Sequence, residues 1–159
     1  MSGEIKTQGS QIWVLDTTQS PPALLKIGNV SQYGDFGPQG NDIDVTNLES
    51  VAMEKLSGLP DNGDVTLNIN LADIVSHRWV YDNVNGDRFR FLIGYSDGTN
   101  APTVGALDTI TPPTGRTSDG FLASVKSARK SVNTNDAIRA TVALVVSGAI
   151  TTTWKSENP

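Results

Sequence analysis

The sequence predicts a mainly β protein: two packed antiparallel sheets, as a β-sandwich or rolled barrel, with one flanking α-helix and a long protruding loop. Three observations support this fold class. Segments with apolar residues at alternate positions recur along the chain, which is the period of a strand with one buried face. Only one stretch repeats apolar residues at helical spacing. Charged residues make up just 18% of the chain, while uncharged polar residues and glycine are abundant, as in strands joined by turns.

The chain length and the absence of an internal repeat predict one domain over residues 1–159. Seven of the acidic residues and one basic residue, Lys55, lie between Asp35 and Asp64. This segment therefore has a net charge of −6, and the rest of the chain has +1, which together give the net charge of −5. The plain interpretation is a solvated loop. Because neutralising phosphates needs clustered Lys and Arg, and this chain is acidic, we expect no tight binding to nucleic acid.

The sequence contains no cysteine, which excludes disulfides and thiolate metal sites. Its first ten residues are polar and lack the apolar core of a signal peptide. The longest apolar run is far too short to cross a bilayer. We therefore expect a soluble protein, made in the cytoplasm, that does not associate with membranes.

In the first half of the chain the patterns predict strands over residues 11–15, 24–30 and 65–70. The last of these alternates most clearly, with Val65, Leu67 and Ile69 on one face. Residues 35–59 are predicted to be a long loop or arm, and loops of this length in a compact domain are usually functional or disordered. Within it, residues 51–59 favour a helical turn or two, ended by Gly58 and Pro60.

In the second half, the helix is predicted over residues 71–85, because Leu71, Val75 and Trp79 repeat at i+4 and Asn85 begins a stop signal. Further strands are predicted over residues 88–95, 120–126 and 137–147, with residues 149–154 closing the sheet. A turn at residues 133–136 should join two of them as a hairpin, with Ile138 on the core face. Residues 99–118, rich in Pro, Gly and Thr, are predicted to be a long surface loop.

Residues 94–98, GYSDG, fit the G-x-S-x-G pattern of a hydrolase nucleophile elbow. That motif needs a helix directly after the serine and a histidine downstream. The following residues cannot form such a helix, and His77, the single histidine, lies upstream in the predicted helix. The motif is therefore interpreted as a turn, His77 as a structural residue, and the protein as not an enzyme.

The tetrapeptide DNGD at residues 61–64 raises the question of a calcium site. An EF-hand loop needs acids at positions 1, 3, 5 and 12, but Gly63, Val65 and Ala72 occupy the last three. A two-carboxylate site completed by distant residues remains an alternative. A turn accounts for the sequence better, because Pro60 fixes φ and Asn62-Gly63 tolerates positive φ. We expect no metal and no cofactor.

The order of features then becomes specific: SQIWVLD, LLKIGNV, the acidic loop, TNLESVAMEKLSGLPDNGDVTLNIN, a helix, YSDGT, GFLASVKS and AIRATVALVVSGAITTTW. This series resembles the major tail tube protein of bacteriophages with long, non-contractile tails. Most of the likeness lies in residues 46–70, 88–98 and 120–154. The sequence departs from the family in residues 99–118, which look like an insertion.

The resemblance implies a structural virion protein with two packed sheets and a flanking helix. Six copies would form a ring, and rings would stack into a tube through which viral DNA passes without specific binding during ejection. The implied partners are further copies of the chain, the tape measure protein, the tail terminator and the tail tip proteins. The alternatives are a related ring or tube former, such as a tail terminator, a contractile-tail tube or a secretion-system tube, and a β-sandwich ligand-binding module.

The family's loop that reaches neighbouring subunits corresponds by position to residues 35–59. Its predicted contact residues are Asp35, Asp42, Asp44, Leu48, Val51, Met53 and Leu56. Strands that form the tube wall need one apolar and one polar face. The candidates for lining the channel are Thr66, Asn68, Asn70, Arg139 and Thr141, although these residues could equally face outwards. On the channel side, Arg139 would need acidic neighbours. The three tryptophans, Trp13, Trp79 and Trp154, are expected to be packed, which weighs against the ligand-binding module.

Overall fold

The computed structural model of the chain describes residues 4–5, 8–40, 42–49, 51–58 and 62–159. The described residues contain one α-helix, α1 (Val75–Asp82), and a short 3-10 helix, Lys155–Glu157. The strands are β1 (Gln11–Asp16), β2 (Ala23–Ile27), β3 (Val30–Tyr33), β4 (Asp42–Asp44), β5 (Lys55–Ser57), β6 (Asp64–Asn70), β7 (Phe89–Gly94), β8 (Thr103–Val104), β9 (Ile110–Thr111), β10 (Ser118–Ser131) and β11 (Arg139–Thr153).

Seven strands form one antiparallel sheet in the order β2-β1-β7-β10-β11-β6-β3. Its two edge strands, β2 and β3, are consecutive in the chain and are joined by only Gly28 and Asn29. Two residues span about 10 Å at most between the flanking Cα atoms, so the sheet must be rolled to bring its edges together. The Tyr33 hydroxyl, at the end of β3, also donates to the carbonyl of Ser10, just before β1, at 3.3 Å. The predicted mainly β fold with one helix is confirmed, and the facing layers belong to one hydrogen-bonded sheet.

The inner face of the rolled sheet forms the hydrophobic core. Alternate residues of β6 and β11 point inwards, including Leu67 and Val142, as their period of two requires. Helix α1 covers this core through Trp79 and Val80, and the Trp79 ring meets Phe89 edge-on at 4.9 Å between centroids. The alternating apolar residues therefore decide which face of each strand is buried.

Residues 99–117 cover part of the outer face. They contain the β8–β9 hairpin and the buried Arg116. Trp13 and Leu92, on the strands beneath them, are also buried. The segment predicted to be a surface loop is thus partly a second layer. Without it, apolar side chains on the outer face of β1 and β7 would be exposed to water.

Several predicted boundaries were wrong. The strand predicted over 24–30 breaks at Asn29, whose φ of 57° no strand tolerates. The helix is shorter than 71–85, because Leu71 N instead donates to Ile138 O at 2.8 Å, and helical bonding begins only after Ile74. The predicted hairpin is confirmed but longer: residues 120–126 belong to a 14-residue strand, and most of residues 137–147 and 149–154 fall in a single 15-residue strand, Arg139–Thr153.

Candidate functional site

Residues 35–58, which we call the arm, contain an exposed β-hairpin formed by β4 and β5, with residues 41 and 50 outside the described part of the chain. Strands β4 and β5 pair antiparallel with Asp44 opposite Lys55, and Val45 N donates to Glu54 O at 3.0 Å. Thr46 closes the hairpin, since its hydroxyl accepts from Glu54 N at 2.8 Å. The helical turn predicted over 51–59 was therefore wrong: its second half pairs as a strand. Leu59, Pro60 and Asp61 lie outside the described residues.

The arm presents apolar side chains that the described part of the chain leaves uncovered. Leu48 and Val51 have relative exposures of 106% and 105%, and Met53 and Leu56 are also exposed. Water contact with this much apolar surface is unfavourable, and exposed apolar clusters usually mark sites of association. The structure thus brings four of the predicted contact residues together on one projecting element.

The predicted acidic contact residues have more local partners. The Asp44 carboxylate accepts from Thr46 N at 2.9 Å, and this hydrogen bond lowers the pKa of Asp44. Asp42 lies 4.0 Å from the ammonium of Lys55, with both side chains exposed. Asp35 is exposed at the root of the arm. The carboxylates of Asp44 and Asp42 therefore help to hold the hairpin in shape, and the hairpin keeps its net negative charge.

A second surface lies on the outer face of β3, β6, β11 and β10, which we call the polar face. Asn68 is opposite Thr141 and Asn70 is opposite Arg139, while Thr66 is on the same side of β6. The Thr141 hydroxyl donates to Asn68 Oδ1 at 3.1 Å. The five residues proposed to line a channel thus share one face, opposite the apolar core.

The polar face extends further than the sequence indicated. Gln32 is opposite Asn68 and accepts from its Nδ2 at 3.3 Å, and Arg129 is opposite Thr141 on the other side. Gln32 was missed because β3 was not predicted as a separate strand, and Arg129 because β10 was ended too early. Alternation alone would have placed Arg129 on the core face with Phe121, Ala123 and Val125, because the register shift between Val125 and Ser127 that reverses the facing has no signal in the sequence.

Two of the basic side chains on the polar face lie beside carboxylates. Arg139 Nη2 is 3.4 Å from Asp136, and Lys126 Nζ is 3.7 Å from Asp64. Arg139 thus has the acidic neighbour that a channel position requires. These pairs are exposed and contribute little stability, but they reduce the positive charge of the face.

The residues weighed for catalysis have structural roles. His77 is buried, its Nε2 lies 2.7 Å from Gly28 O, and it ties α1 to the link between the sheet edges. Residues 96–97 form a turn, in which the Asp97 carboxylate accepts from Thr117 N at 2.9 Å and from its hydroxyl at 2.5 Å. Gly63 has a φ of +67°, as the turn interpretation of the DNGD sequence expects, but Asp61 is outside the described residues.

Trp154 differs from the expectation that all three tryptophans are packed. Trp13 and Trp79 are buried, but Trp154 is exposed and borders an apolar groove of about 400 Å³ with Tyr33 and Phe36. Among the described residues, no cluster of three or more His, Cys, Asp or Glu side chains could hold a metal ion. In the same part of the chain, no helix has the length and apolar character needed to span a bilayer.

The rolled sheet and the exposed hairpin of the arm together indicate a class of protein. A rolled sheet with a projecting, apolar-tipped hairpin is the architecture of a subunit that associates with other protein surfaces. The sequence matches the family of lambda-like phage tail tube proteins over residues 3–156. The chain therefore belongs to the lambda-like phage tail tube family. It is a structural protein of the virion tail and not an enzyme.

Solved structures share the fold at low sequence identity. A chain in the tail of a gene transfer agent particle, refined with C6 symmetry, is 15% identical, with a TM-score of 0.63 over 95% of this chain and 100% of that one. The SPP1 tail tube protein is 12% identical, with a TM-score of 0.61 over 94% and 78%. A chain in the sheath/tube terminator of an extracellular contractile injection system is 12% identical, with a TM-score of 0.64 over 97% and 99%. No curated protein matches the sequence.

Proposed function

We propose that six copies of this chain form a ring, and that the rings stack head to tail into the tail tube that conducts viral DNA during ejection. Family membership and the similarity to a chain in a tail of C6 symmetry support this proposal. The observation that carries it is the arm, which exposes Leu48, Val51, Met53 and Leu56 on one projecting element. Such a surface fits a subunit whose arm is covered only in the assembly.

Burial of these side chains would supply a substantial driving force. Fully burying one such side chain contributes about 1.5–3 kcal/mol, so four contribute on the order of 6–12 kcal/mol before costs. Ordering the arm and losing subunit freedom offset much of this gain. In a ring of six the contact is repeated six times, so a modest net energy per arm is enough to hold two rings together.

We also propose that the polar face lines the channel. A DNA conduit must not hold phosphates, and Thr66, Asn68 and Thr141 are uncharged donors and acceptors without net attraction for them. The carboxylates beside Arg139 and Lys126 reduce the positive charge of the wall. The net charge of −5 per subunit acts in the same direction. The tape measure, terminator and tip proteins are the other proposed partners.

A related tube former remains the second candidate, because the similar structures include the terminator of a contractile injection system described above and the tube-terminating cap of the anti-feeding prophage. A contractile-tail tube must bind a sheath on its outer surface, whereas a tube of a non-contractile tail has none. Images of complete virions would separate the two by the presence or absence of a sheath.

The test of the proposal is a triple substitution in the arm, Leu48→Ser, Val51→Ser and Met53→Ser. We expect the variant to remain a folded monomer, because these side chains do not contact the core, and to form no tubes in negative-stain electron microscopy. The matched control is Leu107→Ser, since Leu107 is 95% exposed but lies outside the arm. The control should form tubes like the unsubstituted protein. Normal tubes from the triple variant would contradict the role of the arm.

A further inference from the structure

We propose that the tip of the arm binds the opposite end of a second copy of this chain, in a groove between α1 and the β10–β11 hairpin. We call it the end groove and define it by Leu71, Ala72, Tyr81 and Lys130. The proposal rests on the head-to-tail stacking proposed above. What is new is the site on the neighbouring copy that binds the arm.

The end groove is an apolar concavity with unused polar groups. It has a volume of about 460 Å³. Lys130 Nζ lies 4.9 Å from the centre of the Tyr81 ring and has no carboxylate within 4.0 Å in the described part of the chain. The Tyr81 hydroxyl is buried and has no hydrogen-bond partner among the described residues. Because this hydroxyl is already shielded from solvent, Lys130 is the polar group of the groove that an incoming carboxylate can reach.

Two exposed apolar side chains extend the end groove. The register pairs Lys130 with Ala140, so Val132 and Ile138 continue the same face of the hairpin beyond the core. Both are exposed, and Ile138 O accepts from Leu71 N at 2.8 Å, which places this residue beside the groove. Ile138 was predicted to be a core residue, and its exposure leaves an apolar rim that the core does not use.

The end groove and the arm lie at opposite ends of the sheet. The arm leaves the sheet beside the start of β6, where Gly34 N donates to Thr66 O at 2.7 Å. The turn of the β10–β11 hairpin lies beside the end of β6, where Asn70 is opposite Arg139. Seven strand residues separate the two by roughly 20 Å. In a head-to-tail stack, the arm of one copy faces this opposite end of the next.

The arm and the hairpin side of the end groove carry opposite charges. The stretch of residues 126–139 carries four basic residues and one acidic residue, whereas residues 35–64 carry seven acidic residues and one basic residue. The helix side of the groove carries Asp73, Arg78 and Asp82, a net charge of −1, so the charge opposite to that of the arm lies on the hairpin side alone. Glu49 lies between the two most exposed apolar residues of the arm, Leu48 and Val51. A docked tip would therefore bring a carboxylate towards Lys130.

The chain contains no cysteine, so introduced cysteines can test this contact directly. A Val51→Cys protein is mixed with a size-tagged Val132→Cys protein, assembled, and treated with a short bismaleimide. We expect a cross-linked dimer of mixed mass on a denaturing gel, at least tenfold above the amount from unassembled protein. In the matched control, the tagged partner carries Leu107→Cys, and we expect no mixed dimer above that background.

The outcomes separate this proposal from the function on which it depends. Tubes that give the Val51–Val132 product, and not the Val51–Leu107 product, support the end groove as the acceptor. Tubes that cross-link Val51 to Leu107 instead, or give neither mixed product, overturn it while the tube function stands. If the unsubstituted protein and each cysteine variant stay monomeric at high concentration, the proposed function fails and this proposal fails with it.

Discussion

Arg116 shows how a single residue fixes the covered half of the outer face. Its guanidinium is buried and donates five hydrogen bonds, to the carbonyls of Gly9, Gly94, Tyr95 and Asn100 and to the side chain of Gln11. It also lies 5.1 Å from the centre of the Trp13 ring. Burial lowers the pKa of Arg116, while the nearby Asp97 opposes this shift. The side chain ties the start of β1, the end of β7 and residues 99–117 together.

Arg116→Met keeps much of the side-chain length and removes all five donors. We expect it to lower the free energy of unfolding by about 3–5 kcal/mol, because buried carbonyl acceptors are left unpaired. Urea titration followed by tryptophan fluorescence measures the change. Arg129→Met, at an exposed arginine, is the control and should change stability by less than about 0.5 kcal/mol. A difference between the two variants below 1 kcal/mol would falsify this role of Arg116.

No pattern in the sequence pointed to Arg116. Its segment has no periodicity, and most of its partners are backbone carbonyls that only the tertiary structure brings together. His77 was easier to interpret, since a single histidine within a helical pattern has no second imidazole to act with. Its contact with Gly28 O nevertheless depends on the rolled sheet and could not be derived from spacing.

At the scale of elements, β7 and residues 99–117 are in unusually close contact at Gly94. A Cβ added there would lie 2.9 Å from both the Arg116 guanidinium and the Trp13 ring. A glycine is therefore needed at the last position of β7 for the outer layer to close over the strand.

Gly94→Ala should destabilise the protein by about 1–3 kcal/mol, the usual cost of overpacking a rigid site. Gly40→Ala is the matched control, because an added Cβ at Gly40 meets nothing within 4 Å. Thermal unfolding followed by circular dichroism provides the comparison. Equal melting temperatures for the two variants would show that the outer layer moves aside at little cost.

The elements that sequence patterns predicted well are those in which one face is buried. In β6 the alternation of Val65, Leu67 and Ile69 with polar residues fixes both the strand and its inner face. The arm was harder to predict, since β4 and β5 are only three residues long and are exposed on both faces. With no buried face, they have no apolar period, and pairing between two strands far apart in the loop decides their conformation.

At the scale of the whole molecule, the polar face gives a prediction for the assembled tube. We expect a cysteine at Thr141, in the variant Thr141→Cys, to react with a small maleimide in tubes but not with a 5-kDa polyethylene glycol maleimide. A narrow channel admits the first reagent and excludes the second. A cysteine at Leu107, in the variant Leu107→Cys, should react with both. Rapid modification of the Thr141 variant by the large reagent in intact tubes would place the polar face on the outer surface.

The single link at Gly28 and Asn29 has a consequence for the order in which the protein matures during synthesis. Both edge strands of the sheet lie in the first fifth of the chain. The strands between them come later, since β1 pairs with β7, and β6 pairs with β11 near the end of the chain. The sheet cannot close until almost all of the chain has left the ribosome. Residues 35–58 emerge early, but residues 126–139 emerge late. A growing chain therefore carries the apolar arm before the proposed end groove exists, and we expect that two growing chains cannot yet join through that contact.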